Sequence, residues 1–375
     1  MSEIFLYPQL RVESSIKLSA KRAQKHLNWY KSQLDPFLNA YLDEKIAEAS
    51  KIHPETTVLG EEIRRFVAAG GKRVRPAFAY SAYVASSGRS FEAILYASAA
   101  LELLHAFALI HDDIIDKADL RRGEPSVHKA FEYFHKNRKF KGSSQKFGID
   151  TAILVGDLAL SFADELLNTA PFPSERIRRA KSYYDLMKKQ VLYGEYLDVL
   201  VPVKGQVTEE DILKILEYKT AKYTIERPLH IGAVLAGAEE EDLIVYSSYG
   251  VPLGQAFQMQ DDVMGTFGSE EKIGKPTDSD IKEGKQTMLV VKAYEFSSSS
   301  DRKVLNRVIG NNKATNEEIE EAREIIRQCG ALDYSQNLSY KLINSAKAAI
   351  REAKLVEEGR NYLLEAADYL LTRST

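Results

Sequence analysis

Apolar residues along this chain recur every three to four positions, and strictly alternating β-branched runs are scarce. That period belongs to helices that bury one face. It predicts helices over residues 17–34, 37–50, 56–69, 75–87, 91–117, 126–137, 151–169, 174–200, 208–218, 221–237, 240–265, 284–296, 315–328, 331–356 and 359–372. Start signals support several of them. Pro173-Ser174 precedes ERIRRA, and Thr208 and Thr315 each stand as a small capping residue ahead of acids in a first turn. The fold class read from this pattern is all-α.

The most apolar segment, FEAILYASAALELLHAFALI at 91–110, is long enough to cross a bilayer but carries Glu92, Glu102 and His105. Charges at membrane depth are costly, so it reads as a buried core helix. It runs straight into Asp112, Asp113, Asp116 and Asp119, with Arg121 and Arg122 behind them. Two ionised carboxylates one helical turn apart repel by roughly 3 kcal/mol at an effective dielectric of about 20. Such a cluster either faces open water or holds cations. A second apolar helix repeats the arrangement, reaching Gln258-Met259-Gln260-Asp261-Asp262. Two apolar helices tipped with double aspartates, facing one another, place their acids at one mouth of an apolar cavity.

Composition narrows the chemistry. The chain has 375 residues, a net charge of −3 and 44% hydrophobic residues, so it buries a large core and shows no basic footprint for nucleic acid. Cys329 is the only cysteine, which excludes an intrachain disulfide and a thiolate zinc site and fits a reducing, cytoplasmic setting. His105 and His111 are six apart, not the four that would put two ligands on one helix face. The first residues show no signal-peptide pattern. No Pro/Gly/Ser-rich linker divides the chain, and the run Ser297–Ser300 reads as a loop.

Oxygen-only donors such as Asp112 and Asp116, at i and i+4, suit Mg²⁺, which takes a few carboxylates together with water and substrate phosphates. Cations gather beside both motifs: Arg121-Arg122 after the first, Lys275 and Lys285 after the second. A third set, GGKRVRP at 70–76, is a Gly-hinged loop opening a helix, with Pro76 in its first turn. Glycines let backbone N–H groups approach an anion, and arginine matches diphosphate oxygens. Together these features describe a site for two polyanionic substrates, one held through metal ions and one by Lys and Arg directly.

GGKRVRP, DDIID with ADLRRG, Gly156-Asp157, Lys219-Thr220, FQMQDD and the GK–SD–GK run of 274–285 resemble, in order, the motifs of the trans-isoprenyl (polyprenyl) diphosphate synthases. The resemblance covers roughly residues 37–372, leaving 1–36 as an N-terminal helical extension ahead of a synthase domain over 37–375. It implies a single bundle of mostly antiparallel helices around a deep apolar cavity, the isoprenoid synthase fold, usually as a homodimer. It also implies condensation of isopentenyl diphosphate with an allylic diphosphate (dimethylallyl, geranyl or farnesyl), with three Mg²⁺ per site partly bound through diphosphate.

Carried onto this chain, the resemblance gives Asp112, Asp116 and Asp261 as metal ligands, with Asp113 and Asp262 as supporting acids. Arg121, Lys219, Lys275 and Lys285 would hold the allylic diphosphate; Gly71, Lys72, Arg75, His105 and Arg122 would hold isopentenyl diphosphate. Thr220 and Gln258 would face the developing cation. Leu104 and Ala108 lie eight and four positions before Asp112 on its face, and Phe107 five before it on the flank. At 1.5 Å per residue Phe107 sits about 7.5 Å below the metal site, where its ring shortens the tunnel. An aromatic at that position followed by a small residue resembles the archaeal geranylgeranyl (C20) type, with farnesyl (C15) or longer products as alternatives.

Three departures from the pattern stand out: Gly265 where many members carry a third Asp, Ser269 where an acid often follows, and Asp278 in place of a common glycine. A weakly catalytic partner subunit and a terpene cyclase remain as rivals; the intact acidic and basic sets disfavour the first, and GGKRVRP the second. The amphipathic N-terminal pattern with Trp29, Tyr30 and Leu34 predicts docking on the bundle or on a partner copy. A membrane-surface role is the alternative.

Overall fold

The computed structural model describes residues 6–268 and 278–372. Helix α1 spans Leu6–Ile52, followed by a 3₁₀ turn at Pro54–Thr56, α2 Thr57–Ala68, α3 Val74–Ala85 and α4 Phe91–Ile115. A two-strand ribbon, β1 Leu120–Arg121 with β2 Glu124–Pro125, leads to α5 Val127–Asn137, α6 Ser144–Thr169 and α7 Ser174–Lys204. Then come α8 Glu209–Ile215, a π-helix Leu216–Glu226, α9 Arg227–Ala236 and α10 Glu240–Phe267. The rest is α11 Ser279–Glu283, α12 Met288–Phe296, α13 Ser299–Val308, α14 Asn316–Gln328, α15 Ala331–Arg351 and α16 Glu357–Thr372.

The chain is all-α, and α4 is its central helix. Ser90 caps it by accepting from the Ala93 N–H at 3.3 Å, and Ala99, Ala100, Leu101, Leu103 and Leu104 are sealed from solvent. It is the one helix among the described residues long and apolar enough for a membrane span, and most of it is buried in the protein. Helix α4 lies along α6 and against α3; α10 lies along α15 and the π-helix; α1 lies along α16. A second core forms where Val263, Ile281, Leu289, Leu305 and Ile326 meet, and it fixes α11 to the end of α10.

The structure departs from the periodicity in four places. The helices expected over 17–34 and 37–50 are one, running through Pro36. Proline removes one ladder hydrogen bond, but Tyr30, Leu34, Leu38 and Leu42 bury the same face on both sides of it, so packing overrides the break. Helix α6 starts at Ser144, capped by Ser143, rather than at 151. Its Gly148 is required there, since a Cβ would lie 2.2 Å from the His128 carbonyl oxygen. The serine run read as a loop is a helix start: Ser298 accepts from the Asp301 N–H at 3.2 Å and opens α13, which the pattern missed. The helix expected over 284–296 begins only at Met288, because Gly284 turns left-handed (φ 73°) to end α11 and Thr287 caps the next helix.

Candidate active site

Helix α4 ends where its carboxylates begin. Asp112 and Asp116 lie one turn apart on one face, and burial together with the neighbouring Asp112 charge pushes the Asp116 carboxyl up to about 6. Asp113 turns inward, fully buried, and accepts from Arg121 Nε at 2.8 Å. Burial raises its carboxyl against the opposing pull of Arg121. Arg121 also reaches Asp112 Oδ2 at 3.2 Å. The β1–β2 ribbon makes this possible: Arg122 (φ 56°) and Gly123 (φ 80°) reverse the chain and fold the arginines back over the helix end.

The π-helix supplies the next groups. Lys219 Nζ lies 2.9 Å from Glu195 and 2.5 Å from Asp198, both on α7, and 3.6 Å from Asp112. Burial opposes its charge, but Asp198, Asp112 and Glu195 outweigh burial and hold the ammonium above its ordinary range. Gly194 lets α7 approach, since a Cβ there would stand 2.3 Å from the Lys219 backbone nitrogen. Thr220, next along, donates to Gln258 Oε1 at 3.1 Å.

On α10, Gln258 Nε2 donates to Asp262 Oδ1 at 3.0 Å, and Lys285 Nζ donates to the same oxygen at 3.0 Å. Burial disfavours the Lys285 charge, while Asp262 and Asp280 more than restore it. Thr220, Gln258, Asp262 and Lys285 thus form one chain of donors and acceptors that fixes the orientation of the Gln258 amide. Asp261 leads the second acidic pair, one turn before Gly265. Asp278 pairs with Lys282, which holds its carboxyl below the ordinary range, so its charge is already matched.

The third group lies about two turns down the same face of α4, around His105, seven positions before Asp112. Gly70 (φ 131°), Gly71 (φ 121°) and Arg73 (φ 53°) shape the loop before α3. Arg122 donates to the Gly70 carbonyl, and a Cβ on Gly71 would sit 3.1 Å from its guanidinium. Arg75 donates to Thr224 Oγ1 at 2.8 Å and lies 4.2 Å above the Tyr223 ring. The Tyr223 hydroxyl is 3.1 Å from His105 Nδ1. Burial, with Arg75 and Arg122 nearby, pushes His105 well below its ordinary pKa, so it is a neutral hydrogen-bonding group here. Lys72 donates to the Tyr369 hydroxyl of α16 at 3.0 Å.

The acid donors are oxygens only, which suits a hard cation such as Mg²⁺. Among the described residues no three carboxylates or imidazoles converge as a closed metal cage. Carboxylates presented singly and in pairs fit a cation that completes its shell with diphosphate and water.

The polyprenyl synthetase pattern matches residues 56–326, from the start of α2 to near the end of α14. The chain belongs to the polyprenyl synthetase family. Geranylgeranyl diphosphate synthase of Methanosarcina mazei is 36% identical over 310 residues, covering 83% of this chain and 88% of that one. The enzyme of the same name from Sulfolobus acidocaldarius is 34% identical over 302 residues, covering 79% and 85%. A geranylgeranyl pyrophosphate synthase from Corynebacterium glutamicum, solved with isoprenyl diphosphate and magnesium, superimposes with a TM-score of 0.87 at 32% identity. That match covers 93% of this chain and 99% of the other. The fold of this polyprenyl synthetase is therefore the isoprenoid synthase fold.

Of the residues picked from the sequence, the acids on α4, Arg121 and Lys219 come together in one cluster. Thr220, Gln258, Asp262 and Lys285 join in a second, and Gly71, Arg75, His105 and Arg122 in a third. Lys275 and Ser269 lie outside the described residues. Leu104 is sealed in the core, and Phe107 packs edge-on against the His111 ring at 4.7 Å; Ala108 is partly open. Sequence reasoning missed Glu195 and Asp198, which flank Lys219 from a distant helix. It also missed Arg73, buried between Glu102 (2.6 Å) and Asp35 (2.8 Å), which holds the glycine loop against α1 and α4.

Proposed function

We propose that this isoprenyl diphosphate synthase is a Mg²⁺-dependent prenyltransferase joining isopentenyl diphosphate to an allylic diphosphate, with geranylgeranyl diphosphate (C20) as its main product. The observation that carries the reading is a division of charge around one helix end. Carboxylates with Lys219 and Arg121 stand at the tip of α4, and Arg75, Arg122 and Lys72 gather around Gly70-Gly71 and His105, two turns before it. One anion is served by acids plus cations, the other by cations alone.

In this scheme Asp112, Asp116 and Asp261 hold the metal, which offsets the charge that grows on the allylic diphosphate as its C–O bond breaks. Lys219, Arg121, Lys275 and Lys285 grip the same diphosphate, and the acids now around Lys219 keep it charged until the anion arrives. Gly71, Lys72, Arg75, Arg122 and neutral His105 hold isopentenyl diphosphate so that its double bond faces the allylic C1. A C–C bond forms there, and a proton leaves to the released diphosphate. The oxygens of Thr220 and Gln258 face the transient cation. Apolar walls exclude water, which would trap the cation as an alcohol.

A homodimer belongs to the same reading. Ile153 and Leu154 on α6, and Leu192, Tyr193 and Tyr196 on α7, are exposed apolar side chains that a second copy would cover. The deciding experiment incubates the protein with Mg²⁺, labelled isopentenyl diphosphate and, in turn, dimethylallyl, geranyl and farnesyl diphosphates, then sizes the dephosphorylated products. A discrete C20 band is expected. A C15 or longer product overturns the chain length only, and no incorporation with any primer overturns the reaction.

A further inference from the structure

The turn that joins α5 to α6 reads HKNRKFKGSSQK over residues 135–146. Its outer cations are matched, Lys136 by Glu132 and Lys146 by Asp150, each at 2.6 Å. Arg138, Lys139 and Lys141 are exposed and meet no carboxylate among the described residues. Phe140 stands between them, 46% exposed. The tip is held in shape. Lys139 (φ 54°) and Gly142 (φ 94°) turn the chain, the Phe140 N–H donates to the His135 carbonyl at 3.2 Å, and His135 Nε2 lies 3.1 Å from the Lys141 carbonyl oxygen. One edge of Phe140 rests on Phe134 and Phe147, with ring centres 5.9 and 6.3 Å away, so the rest of the ring is presented to solvent by a fixed backbone. Helix α6 runs antiparallel to α4: His111 lies against Ile153 and Gly156, while Phe37 and Tyr41, one turn apart on α1, meet Tyr96 of α4 and Phe162 of α6. Ser144 opens α6 nine residues before Ile153, so the tip projects about 14 Å beyond the level of His111, at the end of the bundle that carries Asp112 and Asp116.

We propose that this tip docks the protein on an anionic lipid bilayer, with Arg138, Lys139 and Lys141 against the headgroups and Phe140 entering the boundary with the acyl chains. Charge complementarity and shape both favour that partner. Unpaired cations flanking a projecting aromatic ring match a surface that is negative outside and apolar just beneath. A nucleic acid calls for a basic stripe or groove that follows its phosphates, and a convex tip on a chain of net charge −3 offers neither. Docking itself stands on the loop alone; its use rests on the proposed function. A prenyl diphosphate with a long tail dissolves poorly in water, and this geometry turns the end of the bundle that holds its diphosphate toward the lipid.

The test is flotation of the full chain with vesicles of equal parts phosphatidylglycerol and phosphatidylcholine, beside vesicles of phosphatidylcholine alone. The parent should float with the anionic vesicles only, and high salt should release it. Each cation near such a surface is worth about fivefold in affinity, so Lys139→Glu with Lys141→Glu should lower partitioning more than tenfold. Phe140→Ser should weaken it at low salt without changing the preference for anionic lipid. Both variants should keep the parent Tm and the parent rate of prenyl transfer from a soluble primer, because the tip touches neither acidic motif. A parent that does not float, that floats equally with neutral vesicles, or that binds single-stranded RNA in place of vesicles overturns the proposal, as does parent-like flotation of the charge-reversed variant. Absence of prenyl transfer in the parent overturns the functional reading separately and leaves the flotation result to decide docking.

Discussion

The Lys219 ammonium stands 3.6 Å from Asp112 Oδ1. A cation this close to a carboxylate proposed to hold metal, and also matched by Glu195 and Asp198, would exchange some acid partners for diphosphate oxygens in the proposed reaction. Removing it leaves three carboxylates facing one another. Lys219→Ala should lower kcat/KM by about 100- to 1,000-fold, the size of a lost charge-stabilising donor. Steady-state assays at saturating Mg²⁺ check this; a change below threefold would place Lys219 outside the site.

Asp116 gives the acidic end of α4 a pH signature. Its folded-state pKa is raised to about 6 by burial and Asp112. Protonation therefore stabilises the metal-free fold fully below the unfolded carboxylate pKa of about 4, and that contribution is lost as pH rises through 6. Metal binding has the opposite sign, because it needs the carboxylate. Asp116→Asn should raise the metal-free Tm at pH 7.5 and abolish the stabilisation that Mg²⁺ with pyrophosphate gives the parent. Chelation by EDTA should stop prenyl transfer until Mg²⁺ is returned. Melting curves with and without EDTA, beside the activity assay, read both effects.

Arg73 is a structural cation, although it lies between two residues assigned to substrate. Its guanidinium satisfies buried Glu102 at 2.6 Å and the Val67 carbonyl at 2.8 Å. Arg73→Ala leaves Glu102 buried without its ion pair, a change that costs about 3–5 kcal/mol. Urea denaturation should show the loss. Lys72→Ala, at a more exposed neighbour, should instead raise KM for isopentenyl diphosphate at nearly unchanged stability.

Phe107 is buried on the flank of the acidic face, one turn below His111, and packs on its ring. If it is the tunnel floor, Phe107→Ala opens space below the allylic tail. The main product should lengthen by at least one C5 unit, at a stability cost of about 3–5 kcal/mol. Chromatography of dephosphorylated products decides it, and an unchanged product length would remove Phe107 from that role.

His26 ties α1 to α16, its ring 3.8 Å from that of Tyr362 and 5.7 Å from that of Trp29. Burial lowers its pKa to about 4 against the upward pull of Glu358. Its stabilising contribution is complete above the unfolded pKa of about 6.5 and is lost as pH falls through 4, at up to about 1.4 kcal/mol per pH unit in that window. Trp29 is the only tryptophan, so its fluorescence reports the site. The emission should shift as pH drops from 6.5 to 4, and His26→Phe should flatten the response.

Much of this site was legible because its residues are neighbours in sequence. Asp112 with Asp116, the RRG turn, the paired Asp261-Asp262 and the glycine loop each announce their chemistry within a few positions. Glu195 and Asp198 do not, since they meet Lys219 from 24 and 21 residues away across a helix pair brought close by Gly194. The Arg73–Glu102 pair spans 29 residues and looks like any surface charge in the linear chain. Pro36 misled for the reverse reason, because a local rule was overruled by distant packing.

The π-helix at 216–226 has a consequence for how this chain can vary. Its hydrogen bonds close five residues back, so the segment stores backbone that an α-helix would not accommodate. Deleting any one residue there would let it relax to α-geometry, and each residue of an α-helix turns the following side chains by about 100°. Lys219 and Thr220 on one part of the segment would lose register with Tyr223 and Thr224 on the other. Point changes along this stretch alter one group at a time, whereas a single-codon deletion between Thr220 and Tyr223 would part the acids around Lys219 from the Arg75–Tyr223–His105 group.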